Sequence, residues 1–312
     1  MNWYLKHLIG LVALGLTASC APSAPEANGT TYKVYFLGGQ SNMEGFGFVK
    51  ELPQELVNGD HNVRIFHGRN VADGGQDGGV GVWVPLTAGH GTGFVTDGFS
   101  NQPSARFGPE LTFGITMAAI QPTERIAIIK YSRGGTGLVE AESQFGNWDP
   151  DFAEGNRRNQ YDNALNTISL AMSTRDIDGD GAPDRLISAG IIWMQGEADA
   201  IDDPDIADAY DANLARLMSL FRAALHDDEL PIVVGQIKDS GKTLETQVMR
   251  YSKDVQAAQK RFVENDACAH LVTETEDFGF LPDGWHYRSQ DYVKLGEAFA
   301  RAATQLEQDC ST

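Results

Sequence analysis

Five short, nearly continuous runs of β-branched and apolar residues punctuate the sequence: Lys33 to Leu37 (KVYFL), Val63 to Phe66, Ile126 to Tyr131 (IAIIKY), Ile187 to Met194 and Ile232 to Ile237 (IVVGQI). Runs of this kind suit strands buried on both faces, which is the condition of a parallel sheet. The stretches Gly108 to Ala119, Gln160 to Ser173, Asp205 to Leu225, Thr246 to Asn265 and Gln290 to Leu306 instead repeat their apolar residues at helical spacing. Pro109 stands near the start of its helix, where a missing N–H costs nothing. Strand and helix in alternation predict a three-layer α/β/α sandwich around a mostly parallel, doubly wound, five-stranded sheet, one domain over residues 32–312 rather than two. With 42% hydrophobic and 21% charged residues in 312, the chain has the material for such a core. Residues 68 to 98 break the pattern. They hold ten glycines and a single apolar run, Val82 to Leu86, and read as an irregular insertion near the strand ends, well placed to shape a site.

Lys and Arg number 24 against 43 Asp and Glu, a net charge of −19. Such a surface repels phosphate backbones and anionic lipid, so a nucleic-acid partner is disfavoured. The first twenty residues stand apart from the fold. Leu8 to Ala18 is an uncharged apolar run too short to span a bilayer and suited to the core of a signal peptide. Thr17-Ala18-Ser19-Cys20 resembles a bacterial lipobox, with Thr17 where Leu, Val or Ile is usual, so a lipid anchor at Cys20 is expected as the one tie to a membrane. Residues 21–31 form a Pro/Ala spacer. The expectation is an exported protein, periplasmic or anchored in the outer membrane as a lipoprotein, with simple secretion after cleavage near Ser19 as the alternative. Cys268 and Cys310 are then a candidate pair in an oxidising compartment, and sequence alone leaves open whether they touch.

Four loops carry the chemistry. Gly38-Gly39-Gln40-Ser41-Asn42-Met43 ends the first strand with a serine, which alone is more often a helix cap than a nucleophile. Asp283-Gly284-Trp285-His286 puts a carboxylate three residues before an imidazole, ahead of the last helix. Together they supply what a serine nucleophile needs: a histidine to take its proton and a carboxylate to hold that histidine. Ser132 to Gly137 (SRGGTG) is a glycine-rich turn able to aim a backbone N–H into a cleft, and Trp193 to Asp199 (WMQGEAD) brings an amide side chain. A tetrahedral oxyanion needs such neutral donors. No HExxH or similar spacing marks a metal-dependent deacetylase.

These motifs, GQSNM with Ser41, Gly134 to Thr136, WMQGEAD around Gln195 and DGWH ending in His286, resemble the SGNH-hydrolase superfamily, whose fold is flavodoxin-like. Within it they resemble the sialate O-acetylesterase-like carbohydrate esterases that include the acetylxylan esterases of carbohydrate esterase family 6. Phe107 to Glu110 and Leu230-Pro231 look like further blocks, so the resemblance spans roughly Lys33 to Leu306. It implies Ser41 as nucleophile and one oxyanion N–H, His286 as base, Asp283 as its partner, Gly134 (or Gly135) and Gln195 as oxyanion donors, and Asn42 and Glu197 as support behind them. It implies an acetylated carbohydrate as substrate and no cofactor for catalysis. Glu44 departs from the pattern, standing where a small or apolar residue is commoner.

Competing readings are a short-chain lipase, thioesterase or acyltransferase of the same fold, or a catalytically inactive carbohydrate-binding protein. Trp83, Trp148, Trp285 and Tyr287 are candidates to stack on sugar rings, and Arg133 to pair with a sugar carboxylate. Separately, Asp176, Asp178, Asp180 and Asp184, around Gly181, follow the first part of an EF-hand loop, with Ile187 in place of the closing Glu. A structural calcium ion there is the expectation, with an acidic solvated turn as the alternative.

Overall fold

The computed structural model describes residues 29–58, 61–139, 145–152 and 158–310. The expected signal segment, Cys20 and most of the spacer lie outside these. Strands β1 (Thr31–Gly39), β2 (Val63–His67), β3 (Trp83–Pro85), β4 (Arg125–Ser132), β5 (Arg185–Met194), β6 (Ile232–Gly235) and β7 (Ala269–Val272) form one sheet in the order β7-β6-β5-β1-β4-β2-β3. All pairs are parallel except β2 with β3. The five expected strands are present, but the sheet has seven. Without β2 and β3, the order β4-β1-β5-β6-β7 is the 2-1-3-4-5 arrangement of flavodoxin-like folds. The expected strand at Val63 is therefore an edge extension, and the fifth strand of the core is Ala269–Val272.

Helices α1 (Ser41–Glu44), α2 (Glu110–Ile120), α3 (Gln160–Ser173), α4 (Tyr210–Ala224), α5 (Ser252–Asn265) and α6 (Ser289–Cys310) follow the strands. α2 and α6 cover one face of the sheet, while α3, α4 and α5 cover the other. The strand period of two divides the core accordingly. Tyr35 of β1 meets Phe113 of α2 edge-on, and its neighbour Phe36 points the other way, to Phe221 of α4. All four rings are fully buried, each contributing about 1.5–3 kcal/mol. α2 and α6 cross closely at Gly296, where a Cβ would lie 2.2 Å from Thr112 Oγ1 and 2.3 Å from the Pro109 carbonyl.

Helix boundaries follow local hydrogen bonding. Asn159 and Asp162 form a reciprocal capping box that fixes the start of α3. α5 begins at Ser252 rather than at the expected Thr246, because the Asp239 carboxylate takes the N–H groups of Gly241, Val248 and Met249 and holds that stretch in turns. Cys268 and Cys310 are joined by a disulfide that links the start of β7 to the end of α6, 42 residues apart. Closing a loop of that length stabilises the fold by about 4 kcal/mol in the chain-entropy account. Among the described residues no helix is long and apolar enough to cross a membrane.

Candidate active site

β1 delivers the serine. At its end Gly39 has φ +142°, and a Cβ there would fall 2.0 Å from the Met194 carbonyl oxygen, so only glycine lets β1 turn this tightly beside β5. Gln40 N then donates to Met194 O at 2.9 Å, and the chain enters α1 with Ser41 as its first residue. Ser41 is 8% exposed, and among the described residues its Oγ makes no hydrogen bond. In unliganded hydrolases the nucleophile often meets its base only when substrate closes the site.

The other loops arrive at the same strand ends. Arg133 N donates to Gly39 O at 3.1 Å, which lays the turn after β4 against the serine loop. The loop before α6 folds around one carboxylate: Asp283 Oδ1 accepts from the N–H groups of Trp285 and His286 at 2.9 and 3.1 Å, and its Oδ2 lies 3.0 Å from His286 Nδ1. Burial pushes the Asp283 carboxyl up, but the bonds from the His286 ring and the two N–H groups outweigh it and leave the pKa below the usual carboxylate range. Phe46 stacks on the imidazole with ring centroids 3.5 Å apart, covering its face.

A cleft of about 520 Å³ opens over these groups, lined by Ser41, Gly134, Gly135 and His286 on the chemical side and walled by Phe46, Phe145, Ile201 and Trp285. Ala198, Gln40 and, at the exposed edge, Asp202 complete the lining. No Lys or Arg stands among the described lining residues. Arg133, the cation expected to meet a sugar carboxylate, instead donates from Nε to the Phe145 carbonyl.

Asn42 locks the loops together. Its Nδ2 donates to Glu197 Oε1 at 2.7 Å and to Trp285 O at 3.2 Å, while its Oδ1 accepts from Tyr292 Oη at 2.7 Å. Asn42 and Glu197 are both buried and bonded to each other next to the serine loop. Glu197 is fully buried, and desolvation raises its pKa against the opposing Asn42 bond. Gln195 takes a different place from the expected one. It is fully buried below the cleft floor, and its Nε2 is surrounded by Thr136 O at 2.9 Å, Asp199 Oδ2 at 2.5 Å and Gln40 Oε1 at 3.3 Å. Three acceptors for two N–H bonds leave no donor to point at an oxyanion. The side chain ties the loops after β1, β4 and β5 instead. Gly134 does reach the cleft, where its N–H donates to Glu44 Oε2 at 2.8 Å.

Of the four expected aromatic platforms only Trp285 lines the cleft; Trp83, Trp148 and Tyr287 are buried in the core. Phe46, Phe145 and Ile201, which sequence reasoning did not mark, form the walls. The 68–98 insertion supplies none of the described lining. Its His90 and Phe94 instead pack under the serine loop, beside Lys130. In the acidic loop, ligand oxygens of Asp176, Asp178 and Asp184 gather within 4.8 Å of one another, a donor set that suits a hard cation. Asp180 lies outside that trio and accepts from Ala182 N.

A flavodoxin-type sheet with a serine after its first strand and an Asp-held histidine near its last helix places the chain in the three-layer α/β class. The comparisons specify it further: residues 31–305 match the family described as carbohydrate esterase, sialic acid-specific acetylesterase, and the chain belongs to that family of carboxylic ester hydrolases. No curated protein sequence matches it. Its fold is similar to that of an Arabidopsis thaliana protein, with 20% identity, TM-score 0.60, and 88% of this chain and 98% of the other covered. A carbohydrate acetylesterase from Xanthomonas citri is similar over 88% of this chain and 56% of its own length, at 19% identity and TM-score 0.57. NanS is similar over 89% and 98%, at 14% identity and TM-score 0.56.

Proposed function

We propose that the chain removes O-acetyl groups from a neutral carbohydrate, with Ser41 as nucleophile, His286 as base and Asp283 as its partner. Ser41 Oγ attacks the acetyl carbonyl carbon while His286 Nε2 takes the hydroxyl proton. The bond to the sugar oxygen then breaks as that oxygen takes the proton from the imidazolium, leaving an acetyl-enzyme. Water repeats the cycle and releases acetate. Asp283 on Nδ1 keeps the proton there, so that Nε2 is the free acceptor. Gly134 N–H is the oxyanion donor of this reading, together with Ser41 N–H.

The observation that carries the proposal is the convergence of Ser41, Gly134 and the Asp283-held His286 on one cleft. Its described walls bear no cation and its edge bears Asp202, which favours a neutral sugar over an acidic one in a chain at −19. The inactive binding-protein reading has no support, since no member of the triad is missing. Export, with a lipid at Cys20, belongs to the same proposal, and the Cys268–Cys310 bridge supports it because disulfides persist in oxidising compartments.

The test is hydrolysis of para-nitrophenyl esters from acetate to octanoate, then acetate release from acetylated xylan and from O-acetyl sialic acid. Acetate preference, release from xylan, and loss of turnover to near background in Ser41→Ala are expected. Octanoate preference would turn the reading to a lipase, and preference for the sialic acid would overturn the neutral-sugar part.

A further inference from the structure

The oxyanion donor is already taken. Glu44 Oε2 accepts the Gly134 N–H at 2.8 Å, and this is the only hydrogen bond of that carboxylate among the described residues. A methyl group placed on Gly134 would lie 3.3 Å from Glu44 Oε2 and 3.3 Å from Ser41 Cβ, so the carboxylate, the donor and the nucleophile sit side by side. The backbone at Glu44 is held at both ends, its carbonyl by the buried Lys130 ammonium at 2.9 Å and its N–H by the Gln40 carbonyl at 2.8 Å. The Glu44 side chain is half-buried, beside Gly134 of the cleft lining.

An oxyanion formed on an acyl group at Ser41 needs a donor at about 2.7–3.1 Å. The Gly134 N–H cannot serve it and Glu44 together, and two negative charges within contact distance oppose each other strongly in a partly dry cleft. We propose that Glu44 is a built-in plug of the oxyanion site, which holds Gly134 N–H in the resting enzyme and is displaced by the acyl oxygen of a bound substrate. The proposal rests on the acetylesterase reading and adds a specificity device to it. A sugar that fills the cleft supplies the binding energy to move the plug, whereas a small activated ester has little to offer.

The experiment compares wild type, Glu44→Ala and Glu44→Gln by kcat/KM on para-nitrophenyl acetate, by kcat/KM on acetylated xylo-oligosaccharide, and by the rate at which diethyl para-nitrophenyl phosphate modifies Ser41, read as intact mass. Glu44→Ala should raise both small-molecule rates at least fivefold and raise the oligosaccharide rate less. Glu44→Gln keeps the shape without the charge, should give a smaller rise, and carries the test alone should the alanine variant fail to fold. Unchanged or lower rates on both small molecules in folded variants overturn the plug, even with hydrolysis intact, in which case the acetylesterase reading survives. Faster Ser41 modification with no ester hydrolysed by any variant would keep the plug and overturn that reading.

Discussion

Two buried polar clusters support the serine loop from opposite sides of β1, and they are balanced differently. Under Glu44, the Lys130 ammonium gives one bond each to Glu44 O, His90 O and Glu110 Oε2, at 2.9, 2.8 and 2.7 Å, and Glu110 Oε1 takes Gly108 N. His67 and His90 complete that side, with Nδ1 atoms 3.2 Å apart, and all four side chains are buried. On the other side Glu197 receives Asn42 on one oxygen, and its second oxygen has no partner among the described residues. The first cluster saturates its charge, while the second buries a carboxyl without a countercharge. Complete pairing makes a rigid support that is costly to break, whereas an uncompensated acid is costly to keep ionised.

The sharpest way to break this comparison is to remove the cation. Lys130→Met leaves Glu110 buried and unpaired, and should cost about 3–5 kcal/mol in urea unfolding. Adding Glu110→Leu should return much of that loss, because the pair is then replaced by apolar volume. A loss below about 1 kcal/mol in the single variant would show that the cluster does not bear on the serine loop.

The two sides also differ in how legible they were in the sequence. Ser41, Asp283 and His286 sit in short motifs whose chemistry is local, so reading along the chain marks them as candidates. Lys130 is a single charge inside IAIIKY, a run read as a strand buried on both faces, and that placement alone marks a lysine that must find a buried partner. The partner lies twenty residues away in the Phe107 to Glu110 block, and nothing in the spacing joins the two. Gln195 was misplaced for the opposite reason: its motif was visible, but the direction of its amide depends on Thr136, Asp199 and Gln40 from other loops. Among the strands, Ala269–Val272 escaped notice because it is only four residues long, with His270 exposed and Val272 alone buried. Trp83–Pro85 escaped because a three-residue antiparallel edge ending in proline carries almost no periodicity. Phe46, Phe145 and Ile201 come from loops, where side-chain direction is set by tertiary contacts.

Acid should separate the clusters next. Burial, then the Lys130 charge, pushes His90 down to about 3 and His67 well below its ordinary value, the latter also through His90. Both are neutral in the folded state and protonate when unfolded below about pH 6.5. Their contribution is present above that pH and is lost as pH falls toward about 3, at up to about 2.7 kcal/mol per pH unit for two groups. Urea unfolding at steps from pH 6.5 to 5 should show this slope in wild type and about half of it in His90→Gln. A flat profile would mean that the histidines are not held neutral.

The smallest effect belongs to Glu197, and its sign is reversed. Its folded pKa is raised by burial, so its favourable contribution is present below the unfolded value of about 4.3 and is lost as pH rises through the folded pKa. Glu197→Gln keeps an oxygen for Asn42 and removes the ionisation. At pH 4.5 the variant should melt with wild type. At pH 7 and above it should be equal or more stable, by up to about 1 kcal/mol, because wild type alone must hold a proton or bury a charge. Turnover should change little, since Asn42 keeps its bond and Ser41 its place. Thermal melts at the two pH values decide the matter. A Glu197→Gln protein less stable than wild type at pH 7 by more than about 1 kcal/mol would mean that the second carboxylate oxygen has a countercharge or donor of its own, and the contrast between the two sides of β1 would then disappear.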